Sequence, residues 1–175
     1  KDLMEIGWQK RPSLYDLLKP KPQPLIPEGM TCEVRERILH DGSVLVPLNE
    51  DDVRKATEYL KAKKVSAIAV CTIFSFLNPA HELRIKEIIK EIYPEVYVSI
   101  SSELVPEFRE FSRMSTTVLN AYLGPVMKKY VHNFERCIRD TGITVHPYVT
   151  QSNGSIISIS ETIDFPIKTA ASGPS

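Results

Sequence analysis

Hydrophobic residues between positions 31 and 63 recur first at strand spacing and then at helical spacing. The apolar residues lead up to Asp41-Gly42 and resume at residues 44–46. Asp-Gly favours the positive φ of a tight turn, so this stretch predicts a β-hairpin. Asn49 can then cap a helix, because acidic residues and a helical apolar period follow it. This helix is predicted to reach about Lys63.

Two strands and a second helix are predicted over residues 67–100. The uninterrupted apolar stretch 67–74 is typical of a strand buried on both faces. Asn78-Pro79 can begin a helix that Pro94 ends, and residues 96–100 form the next strand. The inner surface of this helix is predicted to be Leu83, Ile85, Ile88, Ile89 and Ile92. A strand, a helix and a strand in this order predict an α/β fold with a right-handed parallel βαβ unit.

The second half of the chain predicts one long helix followed by short strands. The helix begins at Pro106 and reaches about Asp140, where Gly142 stops it. Pro125 inside it predicts a kink or a split. Residues 145–149 and 155–159 alternate like paired strands around the turn 152–154, and a last strand is predicted over 167–171.

Composition limits the classes of function. The prolines of segment 11–29 exclude a regular ladder there, so we expect an extended strap. The 22 basic and 22 acidic residues leave no net charge that points to nucleic acid or an anionic membrane, and no apolar run reaches the roughly 18 residues of a membrane span. Three widely spaced cysteines predict a cytoplasmic protein without a disulfide framework. Since the sequence lacks an initial Met and stops in a loop-like tetrapeptide, we expect both ends to be cuts within a longer polypeptide.

A polar stripe on the long helix is the first candidate for chemistry. Arg109, Arg113, Thr116 and Asn120 fall at i, i+4, i+7 and i+11, so they share one helical face. The opposite face is predicted to carry Phe111, Val118, Leu119 and Tyr122. One interpretation of the stripe is a solvated surface. Solvated faces favour Lys and Glu, however, whereas many residues around the stripe are short polar groups, so contact with a ligand or another domain is the alternative.

Two small polar loops and the histidines complete the candidate chemistry. The loops at 151–154 and 172–175 are typical of plain turns, although backbone amides in such loops can also bind phosphate oxygens. The four histidines have no obvious carboxylate or cysteine partner, so we assign no ligand role and predict no metal site. The sequence contains no phosphate loop ending in Gly-Lys-Ser/Thr, no Gly-x-Ser-x-Gly elbow and no His-Glu-x-x-His motif.

Several strings taken together resemble the hydantoinase/oxoprolinase family. They are Arg11-Pro-Ser-Leu-Tyr-Asp-Leu, Glu33-Val-Arg-Glu-Arg-Ile with Asp41-Gly42, Val70-Cys-Thr-Ile-Phe-Ser-Phe-Leu-Asn-Pro-Ala-His-Glu, Ser115-Thr-Thr-Val-Leu-Asn-Ala-Tyr-Leu-Gly-Pro-Val, Gln151-Ser-Asn-Gly and Ser172-Gly-Pro. Each string alone is unspecific. Their order along nearly the whole chain makes the resemblance specific.

The resemblance implies a fragment of the actin-like ATPase superfold, in which two ribonuclease-H-like α/β domains enclose ATP. Residues 1–112 would form the end of the hydantoinase/oxoprolinase N-terminal domain, and residues 113–175 the start of the hydantoinase A domain. The two Asp-x-Gly-Gly-Thr phosphate loops expected in the family do not occur in this sequence. ATP and Mg²⁺ are therefore expected to bind the full-length protein, and no ligand is assigned to the fragment alone.

The stripe and the resemblance together predict a site and a function. The substrate or interdomain cleft would include Arg109, Arg113, Thr116, Asn120, Gln151, Asn153 and Gly154, with Ser172 and Gly173 near the nucleotide. The full-length enzyme would open cyclic amides of hydantoin or 5-oxoproline type, with catalytic residues unassigned. Alternatives are the large subunit of an ATP-dependent ketone carboxylase and a non-catalytic docking module. A hydantoinase B-type companion subunit or domain is the expected partner.

Overall fold

The computed structural model describes residues 3–6, 13–16, 18–20, 23–142 and 147–170 and has a mixed α/β architecture. Its elements are, in order, α1 (Leu3–Ile6), β1 (Arg37–Ile38), β2 (Val44–Val46), α2 (Glu50–Ala62), β3 (Ala67–Val70), α3 (Ala80–Ile92), β4 (Tyr97–Ile100), α4 (Ser101–Leu104), α5 (Glu110–Asp140), β5 (Tyr148–Thr150), β6 (Ile156–Ser158), α6 (Ile159–Asp164) and a 3-10 helix (Pro166–Thr169). Among the residues described, no helix is long and apolar enough to cross a membrane.

The predicted hairpin and the helix after it are confirmed. Strands β1 and β2 pair antiparallel, and Gly42 in the turn between them has φ +84°. The Asn49 side chain accepts a hydrogen bond from the Asp52 N–H at 3.0 Å, so α2 begins where its cap predicts. The Tyr59 hydroxyl donates to the Gly29 carbonyl at 3.1 Å. This hydrogen bond attaches the carboxyl end of the Pro-rich strap to α2.

The predicted βαβ unit is confirmed as a parallel pair, with β3 and β4 joined through α3. Ala67 stands opposite Tyr97, and the register continues to the end of both strands. Strand β3 is shorter than predicted, because the chain turns after Val70 and reaches φ +61° at Phe74. The prediction for Leu83 is wrong, since this side chain is 40% exposed.

The main hydrophobic core lies between the β3–β4 pair and helices α2 and α3. Ile68 and Val70 point into it together with Val53 and Ile88. Successive strand side chains point to opposite faces, so Ala67 and Ala69 face the other side, where α5 packs across both strands. Small side chains there allow the helix to lie close to the sheet. Helices therefore cover both faces of the strand pair.

Helix α5 is one continuous helix of 31 residues and is not split at Pro125. It begins at Glu110, four residues later than predicted, and Gly142 follows its end with φ +76°. A proline inside a helix removes one backbone hydrogen bond and is destabilising. The helix continues because it packs against β3 and β4 as well as against α6 and the 3-10 helix.

The C-terminal segment confirms one prediction and corrects another. Strands β5 and β6 pair antiparallel across the predicted turn. The strand predicted from residue 167 is wrong in its described part, which forms the 3-10 helix. Pro166 at the first position fixes φ and favours a helical start. The preceding helix α6 has a capping box between Ser158 and Glu161, a signal that the sequence analysis missed.

Candidate functional site

The carboxyl ends of β3 and β4 meet at one edge of the sheet, where the buried carboxylate of Glu82 joins them. Glu82, in the first turn of α3, accepts hydrogen bonds from the Thr72 N–H at 2.7 Å and the Ser102 N–H at 2.8 Å. The Ser101 hydroxyl donates to the same carboxylate at 2.7 Å. One side chain thus satisfies backbone amides that follow two parallel strands. Ligands of open α/β sheets bind at this end of the strands.

Arg113 of α5 is fully buried at the same edge. Its guanidinium donates to the Thr72 carbonyl at 2.6 Å, to the Glu107 carbonyl at 2.7 Å and to the Ser101 hydroxyl at 3.1 Å. It also lies 5.4 Å from the centroid of the Phe76 ring. The Ser101 hydroxyl therefore bridges a buried cation and the buried carboxylate of Glu82. Removing either charge would leave the other without its counterpart.

Backbone strain and unpaired hydroxyls also mark this edge. Phe74 and Arg109 have φ values of +61° and +78°, a conformation that costs non-glycine residues about 1–3 kcal/mol and recurs at functional sites. The buried hydroxyl oxygens of Thr72 and Ser102 have no hydrogen-bond partner among the described residues. Buried polar atoms are nearly always paired. We define the carboxyl edge as Thr72, Phe74, Glu82, Ser101, Ser102, Arg109 and Arg113, and take it as the candidate site.

Asn120 lies away from the carboxyl edge, near the beginning of β4. Its amide nitrogen lies 3.2 Å from the Tyr97 hydroxyl and 3.0 Å from that of Ser99, and its oxygen accepts from the Ile167 N–H at 3.2 Å. The side chain is buried. Seven residues separate it from Arg113, which is about 10 Å along a helix. The two residues belong to different clusters.

Tyr97 ties β4 to the end of α6. Its hydroxyl donates to the carbonyls of Ile163 at 3.0 Å and Asp164 at 2.8 Å. Burial, together with the negative charge of Asp164, raises the pKa of the Tyr97 phenol well above its usual range. The phenol therefore stays protonated and remains a donor at neutral pH. Asn120 adds a bond to the same Asp164 carbonyl at 3.1 Å.

The turn at residues 151–154 is bonded to the 3-10 helix. The Ser152 N–H and hydroxyl donate to the Lys168 carbonyl at 2.8 and 3.0 Å. Within the turn, the Asn153 side chain accepts from the N–H and the hydroxyl of Ser155 at 3.0 and 2.7 Å. Gly154 has φ +81°, with open space where a Cβ would be. The turn and Asn120 therefore hold the same short helix.

The structure divides the predicted site residues between these two clusters. Arg109, exposed, and Arg113, buried, lie at the carboxyl edge, whereas Asn120 and the 151–154 turn lie around the 3-10 helix. Thr116 is half-buried, and its hydroxyl donates to the Ser112 carbonyl at 3.0 Å. The predicted nucleotide-proximal residues Ser172 and Gly173 lie outside the described residues.

The solvated interpretation of the helix stripe is wrong for Arg113 and Asn120, whereas Arg109 is exposed and Thr116 is half-buried. Arg113 and Asn120 are 0% and 1% exposed, because the ends of β4 supply partners for their polar groups. On the side predicted to be apolar, Val118 is buried, but Leu119 and Tyr122 are 43% and 63% exposed. Two polar residues of the stripe are therefore buried, and an apolar part of the α5 surface faces outward.

Glu82 and its partners were not predicted from the sequence. Glu82 shares a helical stripe with Ile85 and Ile89, at i, i+3 and i+7, and an acidic residue on a buried stripe indicates a hydrogen-bonded carboxylate. The signal was present but was not used. His81 does have a carboxylate partner, since its Nδ1 lies 2.7 Å from a Glu36 oxygen. A separation of 45 residues along the chain concealed that pair.

The carboxyl edge does not fit a magnesium ion. Glu82 is the one carboxylate among its residues, and both of its oxygens already accept hydrogen bonds. The buried guanidinium of Arg113 lies in the same cluster and would repel a cation, whereas Mg²⁺ prefers several oxygen ligands. Within the described ranges, no group of three or more His, Cys, Asp and Glu side chains could hold a metal.

Two family models match the chain. The hydantoinase/oxoprolinase N-terminal region matches residues 1–93, and the hydantoinase/oxoprolinase model matches residues 113–175. An uncharacterized protein of Methanocaldococcus jannaschii is 41% identical over 99% of this chain and 26% of its own length. The acetophenone carboxylase gamma subunit of Aromatoleum aromaticum is 44% identical over 62% of this chain and 15% of its own.

A solved structure shares this fold. The crystal structure of ATP-dependent caprolactamase from Pseudomonas jessenii superposes with a TM-score of 0.80 and 34% identity, over 89% of this chain and 23% of that chain. The chain thus spans about a quarter or less of the length of these proteins.

Proposed function

Because the chain belongs to the hydantoinase/oxoprolinase family, we propose that it forms part of an ATP-dependent enzyme that hydrolyses cyclic amides. The observation that supports this most is the likeness to ATP-dependent caprolactamase along most of the chain. Caprolactam, hydantoin and 5-oxoproline are all cyclic amides, whose carbonyl carbon is a poor electrophile. In the full-length protein, ATP with Mg²⁺ would supply the phosphoryl group that activates this carbonyl.

Within that enzyme, the chain would contribute a rigid edge near the cleft. Glu82 and Arg113 hold the segments after β3 and β4 in one geometry through buried hydrogen bonds. Arg109 is exposed at this edge and is our candidate for contact with an anionic group. Fixed loops at strand ends place such a side chain accurately. The catalytic residues stay unassigned.

The other predicted positions remain proposals. Toward the interdomain cleft would lie Thr116, Asn120, Gln151, Asn153 and Gly154. Ser172 and Gly173 would lie near the nucleotide. We retain the domain boundary at residue 113, which the start of the second family match supports. The cytoplasmic location also stays a prediction.

A ketone carboxylase is the second candidate function. The acetophenone carboxylase gamma subunit is 44% identical over 113 residues, which favours this alternative. That relative is named as one subunit of a larger enzyme, and this supports a companion subunit in either case. A non-catalytic docking module would also bind a companion subunit, but it would not turn over a substrate.

Activity of the full-length protein with its companion subunit separates these functions. The assay follows ADP release and product on hydantoin, 5-oxoproline, caprolactam and acetophenone, with and without bicarbonate. We expect ATP consumption coupled to ring opening without bicarbonate. Turnover of acetophenone only with bicarbonate would establish the carboxylase, and companion binding without ATP consumption would establish the docking module.

One pair of variants and one single variant test the site. Arg109→Ala should lower turnover, whereas the control Arg136→Ala, which replaces an exposed arginine within α5, should not. Equal turnover in both variants would remove Arg109 from the site. Gly173→Val should weaken nucleotide binding in calorimetry with little change in ligand-free unfolding, and normal binding would reject the nucleotide-proximal assignment.

A further inference from the structure

A histidine and a carboxylate form a buried pair close to the carboxyl edge but outside it. The Nδ1 atom of His81 lies 2.7 Å from a carboxylate oxygen of Glu36. Their side chains are 10% and 8% exposed. Among the histidines that the structure describes, His40 and His132 are exposed and only His81 is buried. The pair is therefore unlike the other histidines of the chain in both its burial and its partner.

Glu36 occupies a position where its segment would otherwise place an apolar residue. Val34 packs against the main core and Ile38 is fully buried, and alternate residues of an extended segment point to the same side. A carboxylate on that inward side is costly unless it is paired and hydrogen-bonded. Departures from a local pattern of this kind occur mostly at functional or strained sites. The pair therefore calls for a functional explanation.

The turn at residues 72–79 places the pair beside the carboxyl edge. His81 belongs to the first turn of α3 and directly precedes Glu82, whose carboxylate binds the segments after β3 and β4. The Asn78 side chain donates to the Gly42 carbonyl at 2.9 Å, which holds the β1–β2 hairpin against the same turn. The pair thus lies between the hairpin and the strand ends, where α/β sheets bind their ligands.

The pairing leaves the other ring nitrogen of His81 available for proton transfer. An ionised carboxylate can only accept, so the Nδ1–H group donates to Glu36, and Nε2 of the neutral ring carries the lone pair. Nε2 has no partner among the described residues and is not one of their enclosed unpaired atoms, so it reaches the molecular surface. A carboxylate that orients an imidazole in this way also stabilises the imidazolium.

The carboxyl edge itself offers no comparable proton acceptor among its described residues. Both oxygens of Glu82 are occupied by hydrogen bonds from donors of the protein. The guanidinium groups of Arg109 and Arg113 do not lose their protons in proteins. Hydrolysis of an amide is accelerated by a group that takes a proton from water and returns it to the leaving nitrogen. His81 is the nearby residue with the chemistry for both transfers.

We propose that His81 is the general base and general acid of ring opening, and that Glu36 is its positioning residue. This inference rests on the proposed hydrolysis of cyclic amides. The oxygen of a water molecule bonds to the activated carbonyl carbon, and the bond from this carbon to the ring nitrogen breaks. Each proton that the water releases passes to Nε2 and from there to the ring nitrogen, which leaves carrying it. His81 returns to its neutral form after each transfer, and Glu36 stays ionised.

His81→Asn tests the proposal in the full-length protein with its companion subunit. Asparagine offers an amide donor near the Nδ1 position but has no counterpart of Nε2. The kcat for ring opening should fall by at least about 100-fold, the usual range for a lost general base. The KM values for ATP and the cyclic amide should stay within about threefold. His132→Asn, at an exposed position of α5, is the matched control and should keep the wild-type kcat. A kcat of His81→Asn within about threefold of wild type would overturn the proposal.

Two further variants separate proton transfer from a purely structural role. Imidazole added to His81→Ala should raise kcat by at least about tenfold, because the free base can enter the space of the lost ring. Glu36→Gln keeps an acceptor oxygen for Nδ1 but removes the charge that stabilises the imidazolium, so kcat should fall while KM and Tm stay unchanged. If imidazole restores nothing and Glu36→Gln loses turnover only together with Tm, the pair merely holds the hairpin and the proposal is wrong.

The same assay separates this inference from the proposed function. Release of ADP and ring opening are followed on hydantoin, 5-oxoproline and caprolactam for each variant. Wild-type protein that opens a cyclic amide, beside an equally active His81→Asn, rejects the role of His81 alone. Wild-type protein that consumes no ATP with any of these amides rejects the proposed function, and the role of His81 is rejected with it.

Discussion

Gly124 of α5 lies directly against the ring of Tyr97 in β4. A Cβ atom at Gly124 would come within 2.4 Å of the Tyr97 Cε1 atom. Such a distance is far below van der Waals contact, so no larger residue fits without movement of the ring or the helix. The ring is itself held, because the Tyr97 hydroxyl is bonded to α6 and to Asn120. The glycine is therefore required by this contact between helix and strand.

Gly124→Ala should lower the free energy of unfolding by about 1–3 kcal/mol through overpacking. Helix propensity alone would change it by about 1 kcal/mol in the opposite direction. Denaturant unfolding measures the result. In a Tyr97→Ala background, the same substitution should be neutral or stabilising, because the ring is gone. Equal destabilisation in both backgrounds would contradict the contact.

Glu82→Gln should destabilise the protein by about 1.5–3 kcal/mol, because a neutral amide cannot replace both charged acceptor oxygens. The Thr72 and Ser102 N–H groups and the Ser101 hydroxyl all donate to this carboxylate. Thermal unfolding is the measurement. Glu87→Gln, in the same helix but largely exposed, is the matched control and should stay within about 0.5 kcal/mol. If the two variants changed stability equally, the Glu82 carboxylate would not stabilise the carboxyl edge.

Asn120→Ala should destabilise the C-terminal segment, and any effect on turnover should follow from that. The buried Asn120 side chain forms hydrogen bonds with Tyr97, Ser99 and Ile167. Its loss should lower the free energy of unfolding by about 1–3 kcal/mol. Hydrogen exchange over residues 159–169 should become faster. Asn133→Ala, at an exposed position of the same helix, should leave that segment unchanged. Unchanged exchange with reduced turnover in Asn120→Ala would instead support a direct role at the cleft.

Cys71 should react with iodoacetamide at least about tenfold more slowly than Cys137. Burial raises the pKa of the Cys71 thiol, so less of the reactive thiolate is present at pH 8, and access is also limited. Cys137 is exposed on α5. Mass spectrometry of labelled peptides over time gives both rates. Similar rates would show that the segment after β3 opens readily.

Local signals predicted the elements that depend on neighbours in sequence. Asn49 capped the predicted helix, Asp41-Gly42 made the predicted turn, and the βαβ order gave a parallel pair. The same logic failed at residue 167, where Pro166 favours a helical start over a strand. The Ser158–Glu161 capping box that begins α6 is also a local signal in the sequence.

The α/β class, most element positions and the family could be predicted from the sequence, since caps, turns, apolar periods and ordered strings are local features. Tertiary structure alone decided which face of α5 is buried. Helical spacing places Arg113 and Asn120 on one stripe, but their partners Ser101 and Ser99 come from another part of the chain. A polar side chain is buried stably only where such distant partners meet it, and periodicity carries no information about them.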